Sequence, residues 1–462
     1  MEMPPRTAVR ARYDFVVIGA GAAGEAAAHF AASRGASVAV VERELVGGSC
    51  PFWACMPSKT LLHDARIRAL GGERTWRQAS DRRDYMIDRA GTDWPDDAGR
   101  VDSLEQDGAT VIRGQARIIG RGKLRVSNDG TTDGTIHELI ADHIIVAVGT
   151  NSAVPPIAGL SDVAAWTNRE GTSTRELPRS LLIVGGGPTG LELSQVYARF
   201  GVPVTLVHPH ERLNQRDHPR NSAAVAEALR ADGVRVIAGA RAERVVAHEG
   251  PTGEHCVELS DGSEVGAHDI LLAIGRSAPL EGLGLENAGI RLVDGQLPGD
   301  GDLRLADGVW VVGDPAGPEM HTHLAHYQGE MAVRMALGEN VRPDYGAIPR
   351  VVYTDPEIAG VGLTVDEARE AGHDALEYTQ DLATTAKGYV ANATGHVTIT
   401  LDRSRRILLG AFISGPSASE AIHEAVLAIK TRTPIDVLAD TLHAFPTTAR
   451  VMGTLFVEAA RA

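Results

Sequence analysis

The chain has 462 residues, an ordinary apolar content of 43% and a formal charge of −15. That length accommodates two or three domains with sizeable cores, and the acidity argues against nucleic acid and anionic membrane as partners. Three cysteines are too few for a disulfide scaffold, so a reducing, cytoplasmic setting is expected.

The opening, MEMPPRTAVRARYD, lacks the apolar stretch of a signal peptide. No run of about 18 apolar residues occurs anywhere after it, so no membrane-spanning helix is expected. The first ordered unit is residues 13–44, YDFVVIGAGAAGEAAAHFAASRGASVAVVERE. An apolar run ends in Gly19, Gly21 and Gly24, an alanine-rich helical stretch comes after it, and a second apolar run ends at Glu42. Strand, glycine turn, helix, strand and acid form the dinucleotide-binding fingerprint in its required context. The glycines let backbone approach a pyrophosphate at a helix N-terminus, and Glu42 suits ribose hydroxyls.

GGSCPFWACMPSKTLL comes next, residues 47–62, and holds Cys50 and Cys55. Positions five apart on a regular helix rise about 7.5 Å and lie on different faces. A disulfide needs Cα atoms within about 7 Å. Pro51 offers a first helical residue, which leaves Cys50 outside the helix and able to fold back, and Pro57 is expected to bend the helix beyond it. A thiol near a helix N-terminus is acidified by the dipole, so the stretch reads as a reactive dithiol. Metal is the alternative, but zinc needs about two further ligands. Cys256 is distant and His63 alone is weak. Lysines are rare, only Lys59, Lys123, Lys387 and Lys430, and Lys59 stands beside the dithiol.

A strand and proline-rich crossing, residues 137–160, carry Gly149 and Thr150 and mark a boundary. Residues 179–213 then repeat the first pattern with Gly185, Gly187 and Gly190. His208 stands at the same distance from Gly185 as Glu42 does from Gly19. A carboxylate there favours a free 2′-hydroxyl and repels a 2′-phosphate. His208, with His210, Arg212 and Arg216 behind it, tolerates or attracts that phosphate, so NADPH is favoured over NADH. The other reading is a solvated basic loop. DILLAIGRSAP (269–279) and VWVVGDPAGPEMHTHLAHYQGEMAV (309–333) repeat a strand ending in glycine. From about residue 347, short β-like runs alternate with amphipathic helices, as in an α+β domain.

In this order the motifs resemble the FAD-dependent pyridine nucleotide–disulfide oxidoreductases, which include dihydrolipoamide dehydrogenase, glutathione reductase and mercuric reductase. GGSCPFWACMPSK matches the family's GG-x-C-x4-C-x-PSK, and VVYTDPEIAGVG and HAFPTTAR match its dimerisation domain. The resemblance covers essentially the whole chain. It implies an α/β fold with two Rossmann-like domains and a C-terminal α+β dimerisation domain. The expected segments are FAD-binding 1–155, NAD(P)-binding 156–278, FAD-binding return 279–346 and dimerisation 347–462.

The same resemblance implies FAD held by Gly19, Gly21, Gly24, Glu42, Gly48, Gly149, Thr150, Gly313, Asp314 and Ala325. It implies NADPH or NADH held by Gly185, Gly187, Gly190, His208, Arg212 and Gly275. Electrons would reach a Cys50–Cys55 disulfide, with Cys55 nearest the flavin and Cys50 attacking substrate. Lys59, paired with Glu192, would lie beside the flavin N5 and bind there too; a buried lysine needs such a counter-charge, and a cation favours anionic reduced flavin. A homodimer sharing its sites is expected, with a small sulfur compound as substrate and no resident metal.

Three departures stand out. Pro188 replaces a gate residue often aromatic, PFWA replaces a segment close to LNVG, and the C-terminal HPT-x-x-E becomes Phe445-Pro446-Thr447-Thr448-Ala449-Arg450. Phe52 and Trp53 are either core or substrate lining. Phenylalanine moves no proton, and general acid–base help is worth about 10²–10⁴ in rate. His443 is the candidate substitute, on the same face as Phe445 if the segment is extended; otherwise it is structural. Phenylalanine at this place resembles 2-ketopropyl coenzyme M oxidoreductase/carboxylase, although P-S-K is intact here. Disulfide reduction and carbon–sulfur cleavage both stay open, as do a flavin-only quinone-type reductase and a non-catalytic flavin subunit. Mercury reduction is disfavoured because VMGTLFVEAARA carries no cysteine pair.

Overall fold

The computed structural model describes residues 9–127, 136–248, 253–298 and 302–461. The reading of the opening residues 1–8 lies outside them. The fold is α/β, and the chain forms two compact units, each woven from separated segments: 1–57, 81–152 and 276–343 in one, 58–80, 153–275 and 344–462 in the other.

In the first unit, Arg12–Ile18 is the centre of a parallel sheet between Val38–Glu42 and Ile136–Val146. Thr110–Arg113 extends one side, and Val309–Val311 with Arg304–Ala306 extends the other. The runs FVVI in Arg12–Ile18 and VAVV in Val38–Glu42 are buried on both faces, hence their continuous apolar character. The helices Ala22–Ser33 and Thr322–Ala336 cover one face through Ala23, Ala27, Ala31, Met331 and Ala332. Small residues permit a close crossing: a Cβ on Gly329 would lie 2.4 Å from the Ala23 carbonyl.

The second unit carries a four-stranded parallel sheet in the order Arg235–Ala238, Val204–His208, Leu181–Val184, Asp269–Leu272. The helix Pro188–Arg199 comes after the Leu181–Val184 strand, with proline in its first turn, where no N–H is needed. A three-stranded antiparallel sheet, 242–267, lies in the same unit. Its C-terminal part holds a five-stranded antiparallel sheet, Arg350–Val352, Ile358–Gly362, Ile407–Ser414, His396–Asp402 and Ala375–Asp381, in that order. The helices Ala418–Thr431 and Thr448–Ala460 pack on it through Ile422, Ala425, Met452 and Phe456. Among the described residues no helix is long and apolar enough to cross a membrane.

Candidate functional site

In the first unit the glycine loop is closed too tightly for a side chain at Gly19 or Gly24. Gly19 adopts φ +98°, and a Cβ there would lie 2.4 Å from the Ala147 carbonyl. At Gly24 it would lie 1.9 Å from the Gly19 carbonyl. Gly21 caps the helix Ala22–Ser33. Glu42, the last residue of its strand, ties this loop down, its carboxylate accepting from the Ala20 and Glu44 N–H groups, both at 2.7 Å. Burial raises its pKa, against the two hydrogen bonds and Arg113.

The dithiol segment is pinned to the same loop. Gly47 donates to the Ala20 carbonyl at 2.7 Å. Gly48, at φ +66°, passes so close to Gly21 that a Cβ on it would lie 2.8 Å from the Gly21 Cα. Gly48 caps a short helix, Ser49–Phe52, and a second helix, Cys55–Ala69, begins three residues later. Cys50 is therefore inside the first helix, not outside a single one, and the break at Trp53 separates the two cysteines. Pro57 does not interrupt the helix: it occupies the first turn of Cys55–Ala69, whose N–H groups have no intrahelical acceptor. Both cysteines are half-buried. The Cys55 Sγ contacts the Thr322 hydroxyl at 3.4 Å; nothing in the sequence signalled Thr322. Phe52 and Trp53 are core, packed with Leu45 and Ile87, and Trp53 meets the half-exposed Trp94 ring at 5.2 Å.

The same unit gathers the other residues implied for FAD. Asp314 accepts from the Thr150 hydroxyl at 2.5 Å and from Arg276 at 2.8 Å. Gly313, held by Gln328 at 2.9 Å, adopts φ +75°, and a Cβ on it would meet Ala23 and Ala325. Gly149 adopts φ +61°. The glycine positions thus leave bare backbone, as a pyrophosphate requires, and the residues present fit FAD.

In the second unit the loop closes in the same way. Gly185 adopts φ +120°, with a would-be Cβ 2.2 Å from the Ala273 carbonyl, and Gly190 would place its own 1.9 Å from the Gly185 carbonyl. Gly187 caps the helix Pro188–Arg199. His208 ends its strand and accepts from the Gly186 N–H at 3.1 Å. Arg212 donates to the Gln215 carbonyl at 3.2 Å, and Gly275 adopts φ +136°. These residues fit a second dinucleotide.

Lys59 and Glu192 form a two-pronged ion pair, 2.8 and 3.0 Å. The Glu192 side chain is 4% exposed and also accepts from Ser58 and from the Tyr353 N–H. The Lys59 ammonium lies 4.7 Å from the Tyr353 ring centroid. Tyr353 sits in the VVYTD run, where no polarity pattern singles it out.

His443 and Phe445 do not share a face. The Phe445 side chain is 74% exposed. His443 is turned inward, 5% exposed, its Nε2 on Glu424 at 2.8 Å and its ring against Gly453 and Phe456. Among the described residues no His, Cys, Asp and Glu cluster could hold a metal ion.

Known proteins supply the context for this geometry. Residues 13–329 match the model of the pyridine nucleotide-disulphide oxidoreductases, and residues 348–456 match the dimerisation domain of that family. The dihydrolipoyl dehydrogenase of Halobacterium salinarum is 33% identical, over 94% of this chain and 93% of its own. A mercuric reductase of Staphylococcus aureus is 29% identical, over 95% and 80%. The Cu(II) complex of the HOCl-induced flavoprotein disulfide reductase RclA from Escherichia coli superposes with a TM-score of 0.84 at 27% identity, covering 97% of this chain and 99% of that one. The chain belongs to the pyridine nucleotide-disulphide oxidoreductases, enzymes that use FAD and NAD(P)H, and ends in that family's dimerisation domain.

Proposed function

We propose that the enzyme uses NADPH, or NADH, to reduce a small sulfur compound through Cys50 and Cys55, the substrate being a disulfide or an activated thioether. FAD, when bound, would relay two electrons from the nicotinamide to the cysteine pair. Gly19, Gly21, Gly24, Gly48, Glu42 and Asp314 would hold it, and Gly185, Gly187 and Gly190 would hold the nicotinamide dinucleotide. Cys55, beside Thr322, is the thiol on the flavin side, and Cys50 attacks the substrate sulfur. Lys59, ion-paired with Glu192, would favour electron-rich reduced flavin. The segments 1–155 and 279–346 form the FAD domain, 156–278 the NAD(P) domain and 347–462 the dimer contact, with sites shared between two copies.

The observation that carries the substrate class is the exposed Phe445. The matching signature has a histidine there, and the nearby His443 is inward and held by Glu424. That surface position offers no proton, so the favoured leaving group departs without one, as an acidic thiolate does. The same observation favours a second reading, carbon–sulfur cleavage, in which a stabilised carbanion departs.

Anaerobic titration of the FAD-loaded enzyme with NADPH tests the circuit. A long-wavelength thiolate-to-flavin absorption band and a gain of two thiols are expected. Flavin bleaching with neither result defeats the proposal and leaves a flavin-only reductase. Incubating the reduced enzyme with aromatic disulfides and with β-ketothioethers then separates the two readings by product.

A further inference from the structure

Phe445 and Arg450 take a histidine and its glutamate out of the C-terminal signature, but a histidine and a glutamate are paired at another place, within the first unit. His321 Nε2 lies 2.7 Å from the Glu319 carboxylate. An ionised carboxylate only accepts, so Nε2 carries the ring's hydrogen and a neutral ring is bare at Nδ1. His321 immediately precedes the helix Thr322–Ala336. Thr322, its peptide neighbour, touches the Cys55 Sγ at 3.4 Å. Neighbouring Cα atoms are about 3.8 Å apart, so this imidazole–carboxylate pair is tethered beside a reacting sulfur of its own chain.

The tether is held along its length. Arg276 donates to the Met320 carbonyl at 2.6 Å and to Asp314 at 2.8 Å. Gln328 donates to the Gly317 carbonyl at 2.6 Å. The His323 ring stacks on His321, centroids 5.0 Å apart and planes 10° from parallel. Glu319, and Asp314 behind Arg276, favour an imidazolium at His321. Arg276, a protonated His323 and the positive end of the helix oppose it, and a thiolate at Cys55 tips the balance towards it. The His321 side chain is 27% exposed, so a proton held there can pass on to water.

We propose that His321, oriented by Glu319, is the proton acceptor of the Cys50–Cys55 pair. This rests on the proposed electron path to that pair. Opening the S–S bond places two electrons on the sulfurs, and the hydrogen that left the nicotinamide as hydride remains as one proton. His321 Nδ1 takes that proton, and both sulfurs become thiolates. Cys50 then attacks the substrate sulfur, and Cys55 attacks Cys50 to re-form the disulfide. The two fragments of the substrate leave as anions, as the proton-free Phe445 position requires, and the proton passes from His321 to water.

Alkylation by iodoacetamide between pH 5 and pH 10, followed on the Cys50 peptide by mass spectrometry, tests this in FAD-loaded enzyme reduced by NADPH. His321→Gln should slow alkylation about tenfold at pH 7 and leave it unchanged at pH 10, where a thiol ionises unaided. Glu319→Gln should move the profile the same way by less. An unchanged His321→Gln profile, or a loss equal at every pH, overturns the proposal. Should the variants fold poorly, ¹⁵N spectra of the wild-type imidazoles at pH 7.5 decide instead. His321 should gain a proton when the pair is reduced, and a neutral His321 in both states overturns the assignment. If NADPH leaves the pair oxidised, the proposed function fails, and reduction with dithiothreitol lets the same measurements decide on His321.

Discussion

At Glu192 a nearly buried carboxylate faces one flexible ammonium. Removing only the cation strands the charge, and breaking such a pair costs about 3–5 kcal/mol when both groups are fully buried. Lys59 is 35% exposed and the Tyr353 N–H remains, so Lys59→Met should cost about 2 kcal/mol. The apparent melting temperature should fall by several degrees, and Lys59→Met/Glu192→Gln should fall less than the sum of the singles. Phe445 offers the converse experiment. Phe445→His combined with Arg450→Glu rebuilds the acid–base pair of the family signature, and turnover of small aliphatic disulfides should rise by about tenfold or more. Unchanged turnover would mean that proton supply is not what limits this enzyme. Both residues were legible in the sequence because they sit within dense motifs. The inward turn of His443 was not, since an extended segment constrains only alternation, and Glu424 lies on a separate helix.

Elements carry two further expectations. The two glycine loops are closed by carbonyl contacts that backbone cannot relax. Gly190→Ala should abolish NADP⁺ binding with FAD content retained, whereas Gly24→Ala should yield protein without FAD, both read from absorbance after gel filtration. The C-terminal sheet holds His396 at 6% exposure, its Nδ1 on Thr398 at 2.9 Å. Burial, then the charges of His218 and Arg220, drive its pKa from 6.5 to about 3. The unfolded chain takes a proton between these values that the folded chain refuses, so stability falls as pH drops below 6.5. The loss should reach about 2 kcal/mol at pH 5. His396→Asn should narrow the difference in melting temperature between pH 7 and pH 5. The glycine loops could be read in advance because each strand, turn and helix is consecutive in the chain. The split into Ser49–Phe52 and Cys55–Ala69 could not, because proline is equally content inside a first turn and just ahead of one.

Across the whole molecule, the family match extends through the dimerisation domain. Among the described residues, Leu442 is 98% exposed and Leu427 64%, apolar side chains that a dimer would cover. Leu442→Asp should shift the mass measured by light scattering from dimer toward monomer. Sulfur-substrate turnover should fall with it, because the shared site would be lost. The fold class and the order of motifs were readable because burial on both faces writes continuous apolar runs into the sequence. Which distant segments join into one unit was not, because pairing across hundreds of residues leaves no local periodicity.

The crossing of Ala22–Ser33 with Thr322–Ala336 bears on how the protein is made. A ribosome adding roughly 5–20 residues per second needs about 15–60 s to bridge the roughly 300 residues between them. Throughout that interval the alanine face of the first helix and one edge of its sheet lack their cover. The nascent chain therefore carries an unfinished flavin cradle for most of its synthesis, a natural client for chaperones. Substitutions at Gly329, which completes the crossing, should lower the yield of soluble enzyme from cells more than they alter the turnover of the molecules that mature.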